Sequence, residues 1–218
     1  MRLKASLAAA LLLILPAAAR AGSWPDTPLA RVEAVAVLQT LNATLLSHPS
    51  ATVTLENWCK EHQLASEPRI VARHVAVIDK PITAKQRQEL AIGPDEPVRY
   101  RHVELACGSR VLSIADNWYV PSRLTPEMNH VLETSDMPFG KVVAPLHFTR
   151  HTLEAELLWS PLPAGWEMSK LPPPGNSPIQ IPDELLRHRA ILSRADGKPF
   201  SEVIETYSGA MLDFMPPH

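Results

Sequence analysis

The sequence predicts an α+β domain in which an antiparallel β-sheet is flanked by helices. Three observations carry this. Apolar residues recur at helical spacing near the start of the chain, strand-like runs fill most of the remainder, and two pairs of those runs are joined by short turns. Helices followed by hairpin-linked strands argue for an antiparallel sheet rather than for βαβ units.

Each element has its own local signal. Asp26-Thr27 offers an N-cap with Pro28 at the first helical position, and Leu29, Val32, Val35, Val37, Leu38, Leu41 and Leu45 follow as far as His48-Pro49. Ser50 and Thr52 are capping residues for a second helix holding Leu55, Trp58, Cys59 and His62. Arg69 to Val77 reads as a strand, and Thr83 to Leu90 as a short helix broken by Gly93-Pro94-Asp95. The central hairpin pairs Val98–Cys107 with Val111–Val120 through Gly108-Ser109-Arg110. Thr125-Pro126-Glu127 starts another helix, and Phe148 to Leu158 is a further strand. Residues 159–183 hold seven prolines and read as an irregular surface loop, either a lid or a tolerated insertion. Ala190–Ser193 and Phe200–Tyr207 form the last hairpin, through Ala195-Asp196-Gly197-Lys198-Pro199.

The N-terminus is expected to be a cleaved secretory signal over residues 1–21, leaving a single domain over 22–218 that is exported, to the periplasm in a bacterium. Arg2 and Lys4 precede an apolar run from Leu7 to Leu15, and Ala19-Arg20-Ala21 supplies the small residues of a cleavage site. The run is shorter than the roughly 20 apolar residues of a spanning helix and is broken by Pro16. No other segment reads as a span, so the mature chain is expected to be soluble, with no membrane partner after cleavage. The formal charge is −2; losing Arg2, Lys4 and Arg20 and no acid takes it to −5. A mildly acidic domain without a basic run has no means of neutralising phosphates, which argues against a nucleic-acid partner. Cys59 and Cys107 have two readings, a disulfide suited to an oxidising compartment or two buried thiols.

Four charges fall on apolar faces. Side chains alternate along a strand, so Arg101 shares a face with Val103, Leu105 and Cys107, and Asp116 shares one with Leu112, Ile114, Trp118 and Val120. Glu205 alternates with Val203 and Tyr207, and Arg150 lies with Phe148. Burying a charge is costly unless it is paired. Either these residues form internal ion pairs, or they line a polar pocket in which arginines hold an anion and a carboxylate moves a proton.

Taken in order, the chain resembles the chorismate lyase family and, more distantly, the ligand-sensing domain of GntR-type regulators. The resemblance rests on Tyr100-Arg101-His102-Val103-Glu104-Leu105, on Asp116-Asn117-Trp118-Tyr119-Val120-Pro121, and on Pro138-Phe139-Gly140-Lys141. It continues through Phe148-Thr149-Arg150 and through Gly197-Lys198-Pro199-Phe200 to Glu205. The resemblance implies a chorismate lyase-like fold and a carbon–oxygen lyase that eliminates pyruvate from chorismate or a related enol-ether carboxylate, leaving 4-hydroxybenzoate. Arg101 would hold a substrate carboxylate, Phe139 and Gly140 would form the turn against the ligand, and Glu205 would be the catalytic acid. Arg150 and Asp116 complete the expected substrate-binding set. No cofactor is implied, because aromatisation of the ring drives the elimination. Asn117 departs from the family at a position where some members carry a second arginine, and Glu202 competes with Glu205 for the role of acid. The alternative from a different class is a non-catalytic exported domain that binds a small aromatic carboxylate.

Other chemistries find little support. His147 and His151, four apart on an expected strand, lie roughly 13 Å from each other and make no metal pair. Cys59 and His62 read as core packing plus a surface histidine, and no G-x-S-x-G elbow is present. Asn42-Ala43-Thr44 is a glycosylation sequon in letters that falls inside a helix, and the five tryptophans are too dispersed for a carbohydrate platform.

Overall fold

The computed structural model describes residues 23–76 and 79–215. The expected signal segment lies outside the described residues, as does the end of the strand expected to reach Val77. Helix α1 runs from Pro28 to Ser47, N-capped by the Thr27 side chain, and α2 runs from Ala51 to Glu61, N-capped by Ser50. Strand β1 is Ile70–His74, α3 is Ala84–Glu89, β2 is Arg99–Cys107 and β3 is Arg110–Tyr119. Then follow α4 (Pro126–Thr134), α5 (Phe139–Val142), β4 (Thr149–Leu157), β5 (Glu184–Ser193) and β6 (Pro199–Ser208). In α3 the Thr83 hydroxyl accepts from the Gln86 N–H while the Gln86 side chain returns to the Thr83 N–H, a complete capping box.

The six strands form one sheet in the order β1-β2-β3-β6-β5-β4, every neighbour antiparallel. This is the expected α+β architecture. β5 begins six residues earlier than the sequence suggested, because Arg187 and Arg189 point to one face and Leu186 and His188 to the other, all with partners.

One face of the sheet is covered by two separate apolar clusters. Leu38, Leu41 and Leu45 of α1 and Leu55 and Trp58 of α2 pack on Val103, Leu105, Leu112, Ala115 and Tyr207. Met128 and Leu132 of α4 and Phe139 and Val142 of α5 pack on Tyr119, Leu192, Phe200 and Val203. The opposite face carries a smaller cluster, with Leu90 at the end of α3 against Val120 and Ile191. Cys59 and Cys107 form a disulfide that ties α2 to β2.

Two sequence expectations need correction. Helix α1 is long and apolar enough to cross a membrane by length and composition, contrary to the expectation that no second segment would be. Its Ala30, Ala34, Leu38, Leu41 and Leu45 are buried, most of them in the core, which accounts for the apolar content of that side. Asp116 does not share the covered face with Arg101. The ladder pairs Leu105 with Ser113 and Ala106 with Val111, so Leu112 is an extra residue in β3. Such a bulge reverses the alternation beyond it. Leu112 joins the main core, whereas Ile114 and Asp116 emerge on the other face.

The proline-rich loop over 159–183 is not placed as a lid. It contains a single 3-10 turn, Trp166–Met168, and it clasps the segment that leads into α1. The Gly175 N–H donates to Asp26 O and the Ile179 N–H to Trp24 O, each at 2.8 Å. Trp24 itself is buried, its indole N–H donating to Leu212 O at 2.9 Å.

Candidate functional site

Between the two apolar clusters of the covered face lies a narrow cavity of about 40 Å³. That is room for about three waters, at roughly 10–15 Å³ each by this measure. Its walls include Arg101, Asn117, Phe139, Phe148, Arg150 and Glu205, with Gly140 and the first turn of α2 at Ser50–Thr52. Five of the six residues expected at a site therefore converge, drawn from β2, α5, β4 and β6 and its approaches. Asp116 does not.

Strand register builds this convergence. Arg101 is the cross-strand partner of Asn117, and Ala115 is that of Glu205. Glu205 in turn faces His188 on β5, and Arg150 faces Leu192. Five strands, β2 to β6, thus aim alternate side chains at one spot on the covered face.

The two arginines are in different electrical states. Arg150 donates to Glu205 Oε2 at 2.6 Å, both side chains being almost fully buried, and the Tyr207 hydroxyl donates to the same oxygen at 3.0 Å. Burial works against the Arg150 charge, but Glu205 more than offsets it and its pKa is raised. Arg101 is 6% exposed and, among the described residues, has no carboxylate partner. It donates to Met137 O at 3.2 Å and lies 3.4 Å from His74 Nε2, and its Nε has no partner. Burial pulls its pKa down to about 10, which still leaves it a cation at neutral pH.

The remaining polar groups are neutral. The Ser201 hydroxyl donates to Asn117 Oδ1 at 2.6 Å, so the amide offers the cavity its N–H side. His188 is fully buried, with its Nε2 2.9 Å from Asn42 Oδ1 on α1 and its Nδ1 without a partner. Burial and then the Arg150 charge depress its pKa to about 4, so the imidazole is neutral at pH 7. Phe139 lies 5.6 Å from the Tyr119 ring and 6.3 Å from that of Phe200. Gly140 sits hard against α2: a Cβ there would stand 3.0 Å from Ser50 Oγ and 3.2 Å from Thr52 Oγ1.

Asp116, on the far face, accepts from Lys80 at 2.7 Å and from Tyr100 at 2.5 Å and pairs with His102 Nδ1 at 2.6 Å. Burial opposes its charge, but these three partners hold its pKa below the usual range. Glu202 also points away from the cavity, toward Arg189 at 3.2 Å. Sequence reasoning passed over His188, Tyr207, Phe148 and the Ser50–Thr52 turn as contributors. Alternation along β5, with Leu186, His188, Ala190 and Leu192 on one face, was the signal available for the first. Asn117 was noticed only as a departure. No cluster of three or more metal-ligating side chains is present among the described residues.

Comparison with known proteins gives one close relative and several distant shapes. No family model matches the chain. YydK of Bacillus subtilis, described as a possible transcriptional regulator, superposes with a TM-score of 0.40 at 16% identity over 68% of this chain, which spans 62% of YydK, less than two thirds of its length. PhnF of Mycobacterium smegmatis gives 0.48 at 13% identity over 79% of this chain and 70% of its own. The ligand-binding domain of a GntR-family regulator of Bordetella bronchiseptica gives 0.40 at 18% identity over 64% and 82%. These are loose resemblances in shape, and nothing about ligands or reactions transfers through them. A sequence relative, by contrast, is 58% identical over 196 residues, 89% of this chain and 83% of its own length: the uncharacterized protein y4mC of Sinorhizobium fredii. At that identity and coverage the two share one fold and one family, and the chain belongs to the family of y4mC.

Proposed function

We propose that the chain is a chorismate lyase-like domain that binds a small aromatic carboxylate in the cavity between Arg101 and Glu205. The observation that carries this is Arg101 itself, a guanidinium buried without a carboxylate partner among the described residues, in a wall it shares with aromatic rings. An unpaired buried charge is costly, and an anion that completes a fork of N–H donors removes that cost. Phe139 and Phe148 supply apolar surface for a ring beside it, and because the space between them is about 40 Å³, these side chains must move apart to seat one.

A second reading, elimination of pyruvate from chorismate, is favoured by the sharing of one cavity by Arg101 and Glu205. In that reaction the ether oxygen takes a proton as its bond to the ring breaks, pyruvate leaves, and loss of a ring proton gives 4-hydroxybenzoate. Glu205 could give the first proton only by first carrying one, which costs its ion pair with Arg150. Simple binding asks for no such rearrangement, so it ranks first. We also propose, from the N-terminal pattern alone, that the domain works outside the cytoplasm; recovery of the protein in the cytoplasmic fraction with residues 1–21 intact would remove that part.

The test is calorimetry of the protein with 4-hydroxybenzoate, alongside a pyruvate-release assay with chorismate. Binding without release is the expected result. Arg101→Ala should weaken binding tenfold to a hundredfold, as roughly 1.5–3 kcal/mol for a charge-assisted contact implies. Release of pyruvate at enzymatic rates would promote the second reading, and absence of binding by the wild type would remove the first.

A further inference from the structure

The charges lining the cavity set the charge of what it takes. Its described walls hold two cations, Arg101 and Arg150, and one acid, Glu205. The acid is spent on Arg150 at 2.6 Å, with Tyr207 donating to the same oxygen. One positive charge, that of Arg101, is left over. The first turn of α2, although capped by the Ser50 side chain at the Val53 N–H, adds a partial positive charge of about one half at most, still well short of a second full cation. The cross-strand neighbour of Arg101 is Asn117, whose Oδ1 is held by Ser201 so that its N–H side is what remains to be offered. Asn117 is itself 4% exposed, so a second negative charge on a bound molecule would find a neutral amide there in place of a cation.

We infer that the cavity selects monoanions, one carboxylate on Arg101 with a neutral polar group such as a hydroxyl beside Asn117, and discriminates against dicarboxylates. This rests on the carboxylate-binding reading and deepens it. A second carboxylate buried beside Asn117 would be an uncompensated charge in a closed site, and such a charge is expelled rather than tolerated. Chorismate carries two carboxylates, so the same count weighs against it as the physiological occupant. A neutral molecule of the same shape fails for the opposite reason, because it leaves Arg101 unpaired.

The experiment is a titration series on one ring: 4-hydroxybenzoate, its amide 4-hydroxybenzamide, and the dianion terephthalate. Wild type should bind the monoanion at least about tenfold more tightly than either of the others, a preference of the size that one charge-assisted contact supplies. Asn117→Arg should reverse the order between terephthalate and 4-hydroxybenzoate, and circular dichroism reports whether that variant folds. Asn117→Asp provides a second arm, since a new carboxylate beside Arg101 should abolish monoanion binding. Terephthalate binding to the wild type as tightly as 4-hydroxybenzoate would overturn the inference while leaving the binding reading intact. Failure of all three to bind would overturn both. Folded Asn117→Arg protein with an unchanged preference would remove Asn117 from the selection and with it the inference.

Discussion

Strand β6 buries a carboxylate on each of its faces, and the two are balanced in opposite ways. On the helix-covered face Glu205 has one arginine to itself, and a second arginine nearby has no acid. On the other face Glu202, 1% exposed, shares Arg189 with Glu89 and Glu154, and the exposed Lys85 reaches Glu89 at 3.9 Å, so three acids face two cations. There burial pushes the Glu202 pKa up, with Arg189 only partly opposing it. Both residues are glutamates in an apolar strand, and only the family resemblance put Glu205 ahead of Glu202. What separates them is the sign of the surplus around them: positive beside a cavity on one side, negative in a packed network on the other. A surplus cation against a cavity calls for an anion, whereas a surplus acid in a network is met by holding protons more tightly.

The comparison can be broken by removing each acid in turn. Glu205→Gln leaves Arg150 charged, almost fully buried and without a carboxylate, and should cost about 3–5 kcal/mol of stability in a denaturant titration. Glu202→Gln leaves Arg189 with two acids and should cost about 1 kcal/mol, the size of an ordinary hydrogen bond. Equal losses would erase the distinction between the faces.

The comparison is sharpened through pH as well. His188 has its folded pKa depressed to about 4 by burial and the Arg150 charge, against about 6.5 in the unfolded chain. Between those values the unfolded state binds more protons, so stability rises with pH across the window. His188 therefore contributes its full share above pH 6.5 and loses it as pH falls toward 4. At 1.36 kcal/mol per unit the loss is on the order of 3 kcal/mol. His188→Gln should flatten that limb in melts taken from pH 7 to pH 4; an unchanged slope would mean that the limb belongs to other groups.

The smallest expected effect is the most discriminating about faces. Asp116→Asn removes a partly exposed cluster with Lys80, Tyr100 and His102 and should leave affinity for 4-hydroxybenzoate within about twofold, the stability change staying near 1 kcal/mol or less. A tenfold loss of affinity would show that the far face is coupled to the cavity.

The sheet and three of the charged cavity residues could be read from alternation, whereas Phe139 and Gly140 came only from the family resemblance. Arg101 and Glu205 stand out because a charge in a period-two apolar stripe needs a partner, and the stripes in β2 and β6 run through them; Arg150 has only Phe148 beside it, because β4 shifts register between Thr152 and Glu154. Asp116 was misplaced for a physical reason: the stripe that includes Leu112, Ile114 and Asp116 crosses the bulge at Leu112, and a bulge has no signature of its own in these residues. The ion pair between Arg150 and Glu205 was one of two open readings, because pairing depends on strand order, and β4 lies two strands from β6. The His188–Asn42 contact joins residues 146 apart, a distance at which no local pattern operates.

The covered face is held by two apolar clusters that meet across a polar gap, and this joins affinity to heat resistance. A molecule seated in the gap touches β2 and the first turn of α2 on one side and α5 and β4 on the other, so it acts as mortar between two halves of the core. Binding to the folded state alone raises stability by RT ln(1 + [L]/Kd), about 2.7 kcal/mol at a hundredfold excess over Kd. For a domain of this size each kcal/mol moves the melting temperature by about 2–4 °C. A panel of small acids can therefore be ranked by melting temperature alone, with no reaction assumed, and the natural occupant should announce itself as the compound that makes the two clusters melt last.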